Sequence, residues 1–424
     1  MTIQSHTLHL NHSYSLVLMK ILHTSDWHLG QNFFNKTRLY EHQQFIDWLL
    51  DTVASEKVDC VIIAGDIFDT GTPPSYAREL YNRFVVEMHH LNCQLVVLGG
   101  NHDSVAMLNE SKQLLKQLHT QVVASASEEG TVLEVQNAQG ETGAIICAVP
   151  FIRPRDVLKS VAGESGAEKQ KALGEAIKVH YAHLYQQALE HRQLLGAQVP
   201  IIATGHLTAL GVSQSESVRD IYIGSLDGFA ADGFPPADYI ALGHIHRPQK
   251  VAKTEHIRYS GSPIFLSFDE LKSIKKVMLV EFTLDTLVQI ESKPIPSFQP
   301  MYSLKGDLLS LEQQINQLVV PDEQSVWLSI EVEVQDYLSD LQQAIQKLIG
   351  DRNIEVLQLR RSRVQKQRTL SQQSVETLSE LTPMDVFEKR LAIEEFDGEH
   401  DQARAKRITT KFQQIALEVQ QESK

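Results

Sequence analysis

Five short polar motifs hold residue types that bind divalent metal ions, and each motif follows an apolar run. Their candidate site residues are Asp26, His28, Asp66, Asp69, Asn101, His102, His206, His244 and His246. Imidazole nitrogens with carboxylate and amide oxygens, and no cysteine, suit manganese, iron or zinc better than metals selected by thiolates. The set is larger than one ion requires, which suggests two ions. Two adjacent ions lower the pKa of a water towards about 7 and clamp a phosphoryl group, so we expect phosphoester hydrolysis without a covalent intermediate.

The apolar runs before these motifs predict buried strands. Stretches such as "VDCVII", "CQLVVL" and "DYIAL" are uniformly apolar, as in strands that are covered on both faces. Helix-like segments lie between them, and one carries an apolar stripe at Leu80, Phe84, Val85 and Met88. Alternating strands and helices predict an α/β domain. Because ligands gather beyond the carboxyl ends of strands in open α/β sheets, all five motifs should converge on one rim.

The last motif, "GHIH" at 243–246, has two histidines that flank one isoleucine. On an extended segment His244 and His246 point the same way, while Ile245 points back to the core. Two imidazoles arranged in this way can reach two adjacent ions, one each.

The pattern of alternating strands and helices stops after about Asp285. The stretches "SVWLSIEVEV", "YLSDLQQAIQKLIG" and "IEVLQLRRSR" predict strand, helix and strand, which indicates a small α+β domain. The stretch "PIPSFQP" at 294–300 is a candidate linker before it. From Thr369 onward the chain is polar with an amphipathic helical pattern, which favours either docking on its own core or binding a partner.

The motifs D-x-H, G-D-x-x-D, G-N-H-D, G-H and G-H-x-H, in this order, give the chain a resemblance to the calcineurin-like metallophosphoesterases. Longer stretches such as "HTSDWHLGQNF" and "YSGSPIFLSFDE" resemble bacterial DNA nuclease subunits of that family. The resemblance implies a metallophosphoesterase β-sandwich flanked by helices (αββα) over 19–284. An α+β capping domain over 285–370 and C-terminal helices over 371–424 would follow. Residues 1–18 are expected to be a disordered extension.

The resemblance also assigns roles to the site residues. Asp26, His28 and His246 would bind the first ion, and Asp66 would bridge to the second. Asn101, His206 and His244 would complete the second ion's ligands. His102 would act as a proton donor or charge stabiliser near the leaving oxygen, an effect typically worth about 10² to 10⁴-fold. Asp69 would orient His102, or alternatively cap the helix that follows it.

The function implied by the resemblance is that of a manganese-dependent DNA nuclease. It would act as a 3′–5′ exonuclease on double strands and an endonuclease on hairpins and single strands. Because the sequence has no G-x-x-x-x-G-K-[ST] motif, ATP dependence would come from a partner, a coiled-coil ATPase bound by helices within 378–415. A homodimer would form through the helices that begin at Pro74 and Ser104. The candidate DNA phosphate contacts are Arg360, Arg361 and Arg363, which fit an ordinary solvated face equally well.

Charge and composition limit these expectations. The net charge of −14 argues against DNA binding through bulk electrostatics, although local patches can override it. No apolar stretch approaches the roughly 18 residues of a membrane-spanning helix. Cys60, Cys93 and Cys147 lie in apolar runs, which indicates buried reduced thiols. We therefore expect a cytoplasmic, nucleoid-associated protein without a membrane partner.

Two other functions compete with the nuclease. A phosphatase or small-molecule phosphodiesterase would use the same scaffold, but protein phosphatases of the family usually place arginine where this chain has Thr70. A non-catalytic scaffold would normally lack some ligands, and all the motif positions are filled here. Cleavage of hairpin DNA distinguishes the nuclease from both.

Overall fold

Two six-stranded β-sheets that pack face to face make up most of the protein. The computed structural model describes residues 18–158, 165–219, 228–334, 341–363 and 407–412. The chain divides into two units, Met1–Arg363 and Val364–Lys424. Of the expected N-terminal extension, only Leu18 lies within the described residues, and it begins the first strand.

The strands and helices have the following bounds. The strands are β1 (Leu18–Thr24), β2 (Asn32–Phe33), β3 (Lys36–Thr37), β4 (Cys60–Ile63), β5 (Gln94–Leu98), β6 (Thr120–Val123), β7 (Val132–Gln136), β8 (Thr142–Cys147), β9 (Ile201–His206), β10 (Tyr239–Gly243), β11 (Gln249–Lys250), β12 (Ile257–Tyr259), β13 (Lys276–Thr283), β14 (Thr286–Pro294), β15 (Met301–Gly306), β16 (Val326–Val334) and β17 (Ile354–Arg363). The helices are α1 (Leu39–Glu56), α2 (Ser75–His90), α3 (Val105–Glu110), α4 (Lys112–Gln117), α5 (Pro154–Val157), α6 (Gly166–Leu195), α7 (Leu308–Asn316) and α8 (Leu341–Ile349).

Each large sheet has a parallel centre. The first sheet has the order β14-β13-β1-β4-β5-β6, in which β1, β4, β5 and β6 run parallel. The second has the order β11-β12-β10-β9-β8-β7, in which β8, β9, β10 and β12 run parallel. The carboxyl ends of the parallel strands of each sheet therefore lie at one edge, where the polar motifs follow β1, β4, β5, β9 and β10.

Alternate residues of each central strand belong to different cores. In β4, Cys60 and Ile62 pack between the two sheets, whereas Val61 and Ile63 pack against the helical layer that includes α1 and α2. In β9, Ile202 faces the other sheet and Ile201 packs in the core that contains α6 residues such as Tyr181. Burial on both faces explains the uniformly apolar runs. The expected αββα sandwich is confirmed, and so are the helical stripe on α2 and the buried free thiols of the three cysteines.

A third, three-stranded sheet forms the smaller part of the first unit. Its strands β15, β16 and β17 run parallel, and α7 and α8 pack on it through residues such as Leu311 and Ile345. The predicted elements β16, α8 and β17 are confirmed, while β15 and α7 went unpredicted because 301–316 lacks the strong apolar runs of the other elements. The expected domain boundary at 284/285 falls in the turn of the β13–β14 hairpin, and β14 extends the first sheet as far as Pro294.

The second unit is described over residues 407–412, which are helical. The other predicted C-terminal helices lie outside the described residues. Among the described helices, no segment combines the length and the apolar character that crossing a membrane requires.

Candidate metal centre

The nine predicted site residues come together at the edge where the strands of both sheets end. Three groups of side chains bring ligand atoms within 4.8 Å of one another: Asp26 with His28 and His246, His28 with Asp69 and His102, and Asp66 with His206 and His244. Asn101 joins the third group through its side-chain oxygen, which lies 2.9 Å from His206 Nε2 and 3.2 Å from His244 Nδ1. The predicted convergence is confirmed.

The turns that carry these side chains have unusual backbone conformations. Four of the residues have a left-handed backbone: Asp26 (φ 55°), His28 (φ 49°), Asp66 (φ 52°) and His244 (φ 94°). Such conformations cost about 1–3 kcal/mol each in non-glycine residues and occur preferentially at functional sites. The carboxylate of Asp26 accepts a hydrogen bond from the His244 backbone N–H at 2.8 Å, which ties the first turn to the last.

The structure corrects the explanation of the "GHIH" motif. The strand β10 ends at Gly243, and His244 with its φ of 94° is not extended. Ile245 is buried in the core as predicted. His244 lies in the group of Asp66 and His206, and His246 lies in the group of Asp26 and His28. The two imidazoles therefore separate because the backbone turns at His244, and not because strand residues alternate.

Asp66 lies between the two groups. Its Oδ2 is 3.6 Å from His28 Nε2 and 3.3 Å from His206 Nε2. His206 Nδ1 donates to the Ala64 carbonyl at 2.9 Å, so Nε2 is the nitrogen presented to Asp66 and Asn101. In the same way, His28 Nδ1 donates to Asp69 Oδ1 at 3.0 Å and Nε2 faces Asp66. Each imidazole thus has one nitrogen held from behind and the other directed into the site.

The electrostatics of the site favour positive charge. Burial opposes charge on His206, but the nearby carboxylate of Asp66 outweighs it and raises the pKa of His206 to about 9. Burial also opposes charge on His28, whose pKa is nevertheless raised because of the carboxylates of Asp69 and Asp66. Conversely, Asp66 is buried, yet the imidazoles of His206 and His28 hold its pKa well below its usual range. A buried group of carboxylates with this demand for cations suits divalent ions.

The pair formed by His102 and Asp69 differs from the expected arrangement. The Asp69 carboxylate bonds His28, whereas His102 Nδ1 donates to the backbone carbonyl of Asp69 at 2.7 Å. The expectation that the Asp69 side chain orients His102 is therefore wrong in this structure, since the orienting atom belongs to the main chain. The alternative role of Asp69 as a helix cap is also wrong, because α2 has Pro74 as its N-cap and no side-chain cap.

Asp103 joins two of the turns. Its carboxylate accepts hydrogen bonds from the backbone N–H groups of Ile67 (3.2 Å), Phe68 (3.0 Å) and Gly100 (2.8 Å). Burial raises the pKa of Asp103 to about 6. Asp103 is thus a structural link between the turn after β4 and the turn after β5.

Two glycines let the turns approach closely. A Cβ on Gly65, whose φ is +93°, would lie 2.2 Å from His206 Nδ1. A Cβ on Gly100 would lie 2.1 Å from Asp66 Oδ1. Because real Cβ contacts are never this short, a side chain at either position would displace a predicted ligand.

A buried network behind His246 was missed by the sequence analysis. His246 Nδ1 donates to Ser217 Oγ at 2.6 Å, and the Ser217 hydroxyl donates to Glu270. Lys275 Nζ lies 2.6 Å from the other carboxylate oxygen of Glu270. Burial disfavours the charge on Glu270, but Lys275 and the hydrogen bond from His246 hold its pKa well below its usual range. The network fixes which nitrogen of His246 faces Asp26 and His28.

The only sequence signal for this network was the placement of Glu270 and Lys275 beside apolar residues in "FLSFDELKSIKKVMLV". Such a pair is indistinguishable from surface charge until the fold is known. Ser217 had no signal, since a serine in a polar loop is ordinary.

The predicted DNA-contacting arginines do not share one face. Arg360 and Arg361 are consecutive in β17, so their side chains point to opposite sides of the sheet. Arg360 lies 3.6 Å from Glu216, one residue from Ser217, while Arg361 is exposed on the other side. The side chain of Arg363 lies outside the described residues.

The donor atoms fit divalent metal ions. Nε2 of His28 and Nε2 of His244 are buried, and neither has a hydrogen-bond partner among the described residues. A buried polar atom without a partner costs about 1–3 kcal/mol, and a ligand removes that cost. The surrounding donors are imidazole nitrogens and carboxylate or amide oxygens, as expected for manganese, iron or zinc.

Family comparisons agree with this site. A family model described as "Calcineurin-like phosphoesterase" matches residues 19–248, which include every predicted ligand. A second, described as "Type 5 capsule protein repressor C-terminal domain", matches residues 297–395. The chain belongs to the calcineurin-like phosphoesterase family, whose members use divalent metal ions.

Individual relatives carry one name, that of the D subunit of the nuclease SbcCD. The relative from Escherichia coli (strain K12) is 53% identical over 402 residues, which cover 94% of this chain and 99% of the relative. The relative from Bacillus subtilis (strain 168) is 30% identical, covering 76% of this chain and 81% of the relative. The corresponding protein of Rhodobacter capsulatus is also 30% identical, covering 72% and 77%. The resemblance derived from the motifs is confirmed.

The buried pair behind His246 leads to a test of stability. Replacing Lys275 by methionine (Lys275→Met) leaves the Glu270 charge buried without its cation, so the free energy of unfolding should fall by about 3–5 kcal/mol. Urea unfolding measures this change. The double variant Glu270→Gln/Lys275→Met removes both charges and should recover part of the loss. Lys250→Met breaks an exposed pair with Glu255 and should leave stability nearly unchanged. Equal losses in Lys275→Met and Lys250→Met would contradict the analysis.

Proposed function

We propose that this chain is the metal-dependent DNA nuclease subunit of an SbcCD complex. It would hydrolyse phosphodiesters as a 3′–5′ double-strand exonuclease and as an endonuclease on single strands and hairpins. The observation that carries the proposal is the pair of donor groups joined by Asp66, with His102 beside them. The 53% identity to a named nuclease subunit over 94% of the chain supports the substrate class.

The ligands of the two ions follow from the two donor groups. Asp26, His28 and His246 would hold one ion, with Asp66 shared between both. Asn101, His206 and His244 would hold the other. We propose manganese, because nitrogen and oxygen donors without thiolates suit it. Bound ions at such a centre supply an activated water and neutralise charge on the phosphoryl group.

His102 would act on the leaving oxygen. Its Nδ1 donates to the Asp69 carbonyl, and its backbone N–H donates to Asp66 Oδ1 at 2.9 Å, so the ring is held beside the donor groups. Burial lowers the pKa of His102. A proton on Nε2 is therefore released readily, which suits a general acid for the departing 3′ or 5′ oxygen.

The partners follow from what this chain lacks. The sequence has no phosphate-binding loop for ATP, so the coiled-coil ATPase SbcC would supply ATP dependence. Residues 378–415, most of which lie outside the described residues, would bind it. A homodimer through α2 and α3 would complete a heterotetramer that acts on DNA in the nucleoid during replication, recombination and repair.

The main rival is a phosphatase or small-molecule phosphodiesterase with the same site. The three-stranded domain over β15–β17 favours the nuclease, because an additional domain beside the site suits a polymer substrate. Its contacts with the rim of the site include Lys36 with Glu355 and Arg360 with Glu216. We propose that it caps the site and limits the access of duplex DNA.

Cleavage of a hairpin DNA with manganese tests the nuclease. The wild-type protein with SbcC and ATP should open the hairpin, and His102→Ala should slow cleavage by about 10² to 10⁴-fold because the proton donor is lost. Gel analysis of end-labelled DNA measures the rate. His90→Ala, an exposed histidine on α2, is the matched control. Full activity in His102→Ala would refute its catalytic role, and activity on small phosphoesters alone would refute the nuclease.

The salt dependence of DNA binding tests the arginines. Neutralising Arg360, Arg361 and Arg363 to glutamine should reduce the slope of log K against log salt by about 0.9 for each phosphate that is no longer neutralised. Single variants separate the two faces of β17, and fluorescence anisotropy measures binding. Lys178→Gln on the exposed side of α6 is the control. A slope equal to that of the wild type would return all three to ordinary surface charge.

Deletion of residues 378–415 tests the partner site. The truncated chain should lose co-purification with SbcC and keep the manganese binding measured by titration calorimetry, because the proposed ligands all precede residue 247. The intact complex should have the mass of two copies of each protein in sedimentation equilibrium. A truncated chain that still co-purifies with SbcC would contradict the assignment.

A further inference from the structure

A cavity of about 300 Å³ lies beside the metal centre, and its walls are not all explained by metal binding. One wall consists of His28, Asp69, His102 and His246, which belong to the site. The opposite wall consists of Gln31, Asn32, Phe33, Phe34 and Arg219. Since the proposed catalytic residues form the first wall, whatever occupies the cavity lies next to the reacting phosphodiester.

Phe34 has a conformation that costs free energy. It lies in the two-residue turn between β2 and β3, where Phe34 has a φ of 49° and Asn35 a φ of 63°. Turns with two left-handed residues favour asparagine and glycine. A bulky aromatic residue there is a clear outlier, and such strain persists where the surroundings determine it. Phe34 is also 44% exposed, so burial of its ring does not explain the conformation.

The neighbouring residues hold this turn in place. Phe33 is only 6% exposed, and its ring lies 5.4 Å from that of Phe268 and 5.9 Å from that of Trp327. The Arg38 guanidinium lies 4.8 Å from the centre of the Phe33 ring. Lys36 forms an ion pair with Glu355 of the three-stranded domain. Because Phe33 and Lys36 anchor both sides of the turn, the ring of Phe34 is presented at the cavity in a fixed place.

The chemistry of this wall matches a nucleotide. An exposed aromatic ring stacks on a base, and the amides of Gln31 and Asn32 can bond a base edge or a sugar. Arg219, which is exposed at the cavity, can neutralise a phosphate. Single-stranded nucleic acids are bound by this combination of aromatic stacking and positive charge. A purely apolar ligand would leave the amides and the guanidinium without partners.

We propose that the cavity binds the nucleotide adjacent to the scissile phosphodiester, with its base stacked on Phe34 and its phosphate near Arg219. The proposal rests on the nuclease function proposed above and adds the part of DNA that the site selects. A base can stack on a side chain only after it leaves its own helical stack. The subsite therefore selects unpaired nucleotides, such as those in hairpin loops, single strands and frayed ends.

Replacement of Phe34 by glycine tests the subsite with little risk to folding. Glycine adopts a positive φ without strain, so Phe34→Gly removes the ring and relieves the turn. Phe34→Leu keeps the apolar volume without an aromatic face, and Phe34→Trp keeps stacking. Val179→Ala, at an exposed position on α6, is the unrelated control. Two measurements apply to the complex with SbcC: KM for a hairpin DNA, and the fluorescence of 2-aminopurine placed beside the cut position, read without metal ions.

The expected results separate stacking from catalysis. In Phe34→Gly and Phe34→Leu, KM for DNA should rise about tenfold, because stacking on an aromatic side chain contributes roughly this much per base. The loss should exceed any loss for bis(p-nitrophenyl) phosphate, which has no base. Quenching of 2-aminopurine should disappear in these variants and persist in Phe34→Trp and Val179→Ala.

Wild-type KM and wild-type quenching in Phe34→Gly would overturn the subsite. A wild-type protein that hydrolyses bis(p-nitrophenyl) phosphate and leaves DNA uncut would refute the proposed function instead. In that case the metal-free fluorescence measurement would still decide whether Phe34 stacks on a base.

Discussion

The arrangement of the site depends on one buried carboxylate, that of Asp66. It is 1% exposed, and its Oδ2 lies within 3.6 Å of imidazole nitrogens on both sides, His28 and His206. Its other oxygen accepts the backbone N–H of His102. A buried negative charge is costly unless cations or hydrogen-bond donors surround it. Asp66 therefore determines both the distance between the two donor groups and the place of the proposed proton donor relative to them.

The protein meets this constraint with rigid turns and a second layer of hydrogen bonds. Four site residues adopt left-handed backbone, and the carboxylate of Asp103 holds the turns after β4 and β5 together through three backbone N–H groups. The network of His246, Ser217 and Glu270 does the same on the other side. Because each imidazole is held from behind, its free nitrogen needs no reorganisation when a ligand enters.

Much of the fold and of the site was predictable because the signals are local. Runs such as "VDCVII" are apolar throughout, since alternate residues such as Val61 and Ile62 enter different cores. Strands of this kind, alternating with amphipathic helices, predicted the α/β sandwich, and the polar motifs at the strand ends predicted which residues converge. The elements β15 and α7 were missed because their short, mixed patterns resemble those of loops, and the domain boundary was misplaced because the β13–β14 hairpin has no strong turn signal.

The amino-acid sequence by itself determined the class of chemistry, because the types of the nine site residues and their positions after strands restrict the ligand to a divalent cation. Only the tertiary structure decided which atom supports which. It directed the Asp69 carboxylate to His28 in place of His102, placed Glu270 behind His246, and put the ring of Phe34 at the cavity. These contacts join residues far apart in the chain, and their geometry depends on how two sheets and a hairpin pack, which no local pattern encodes.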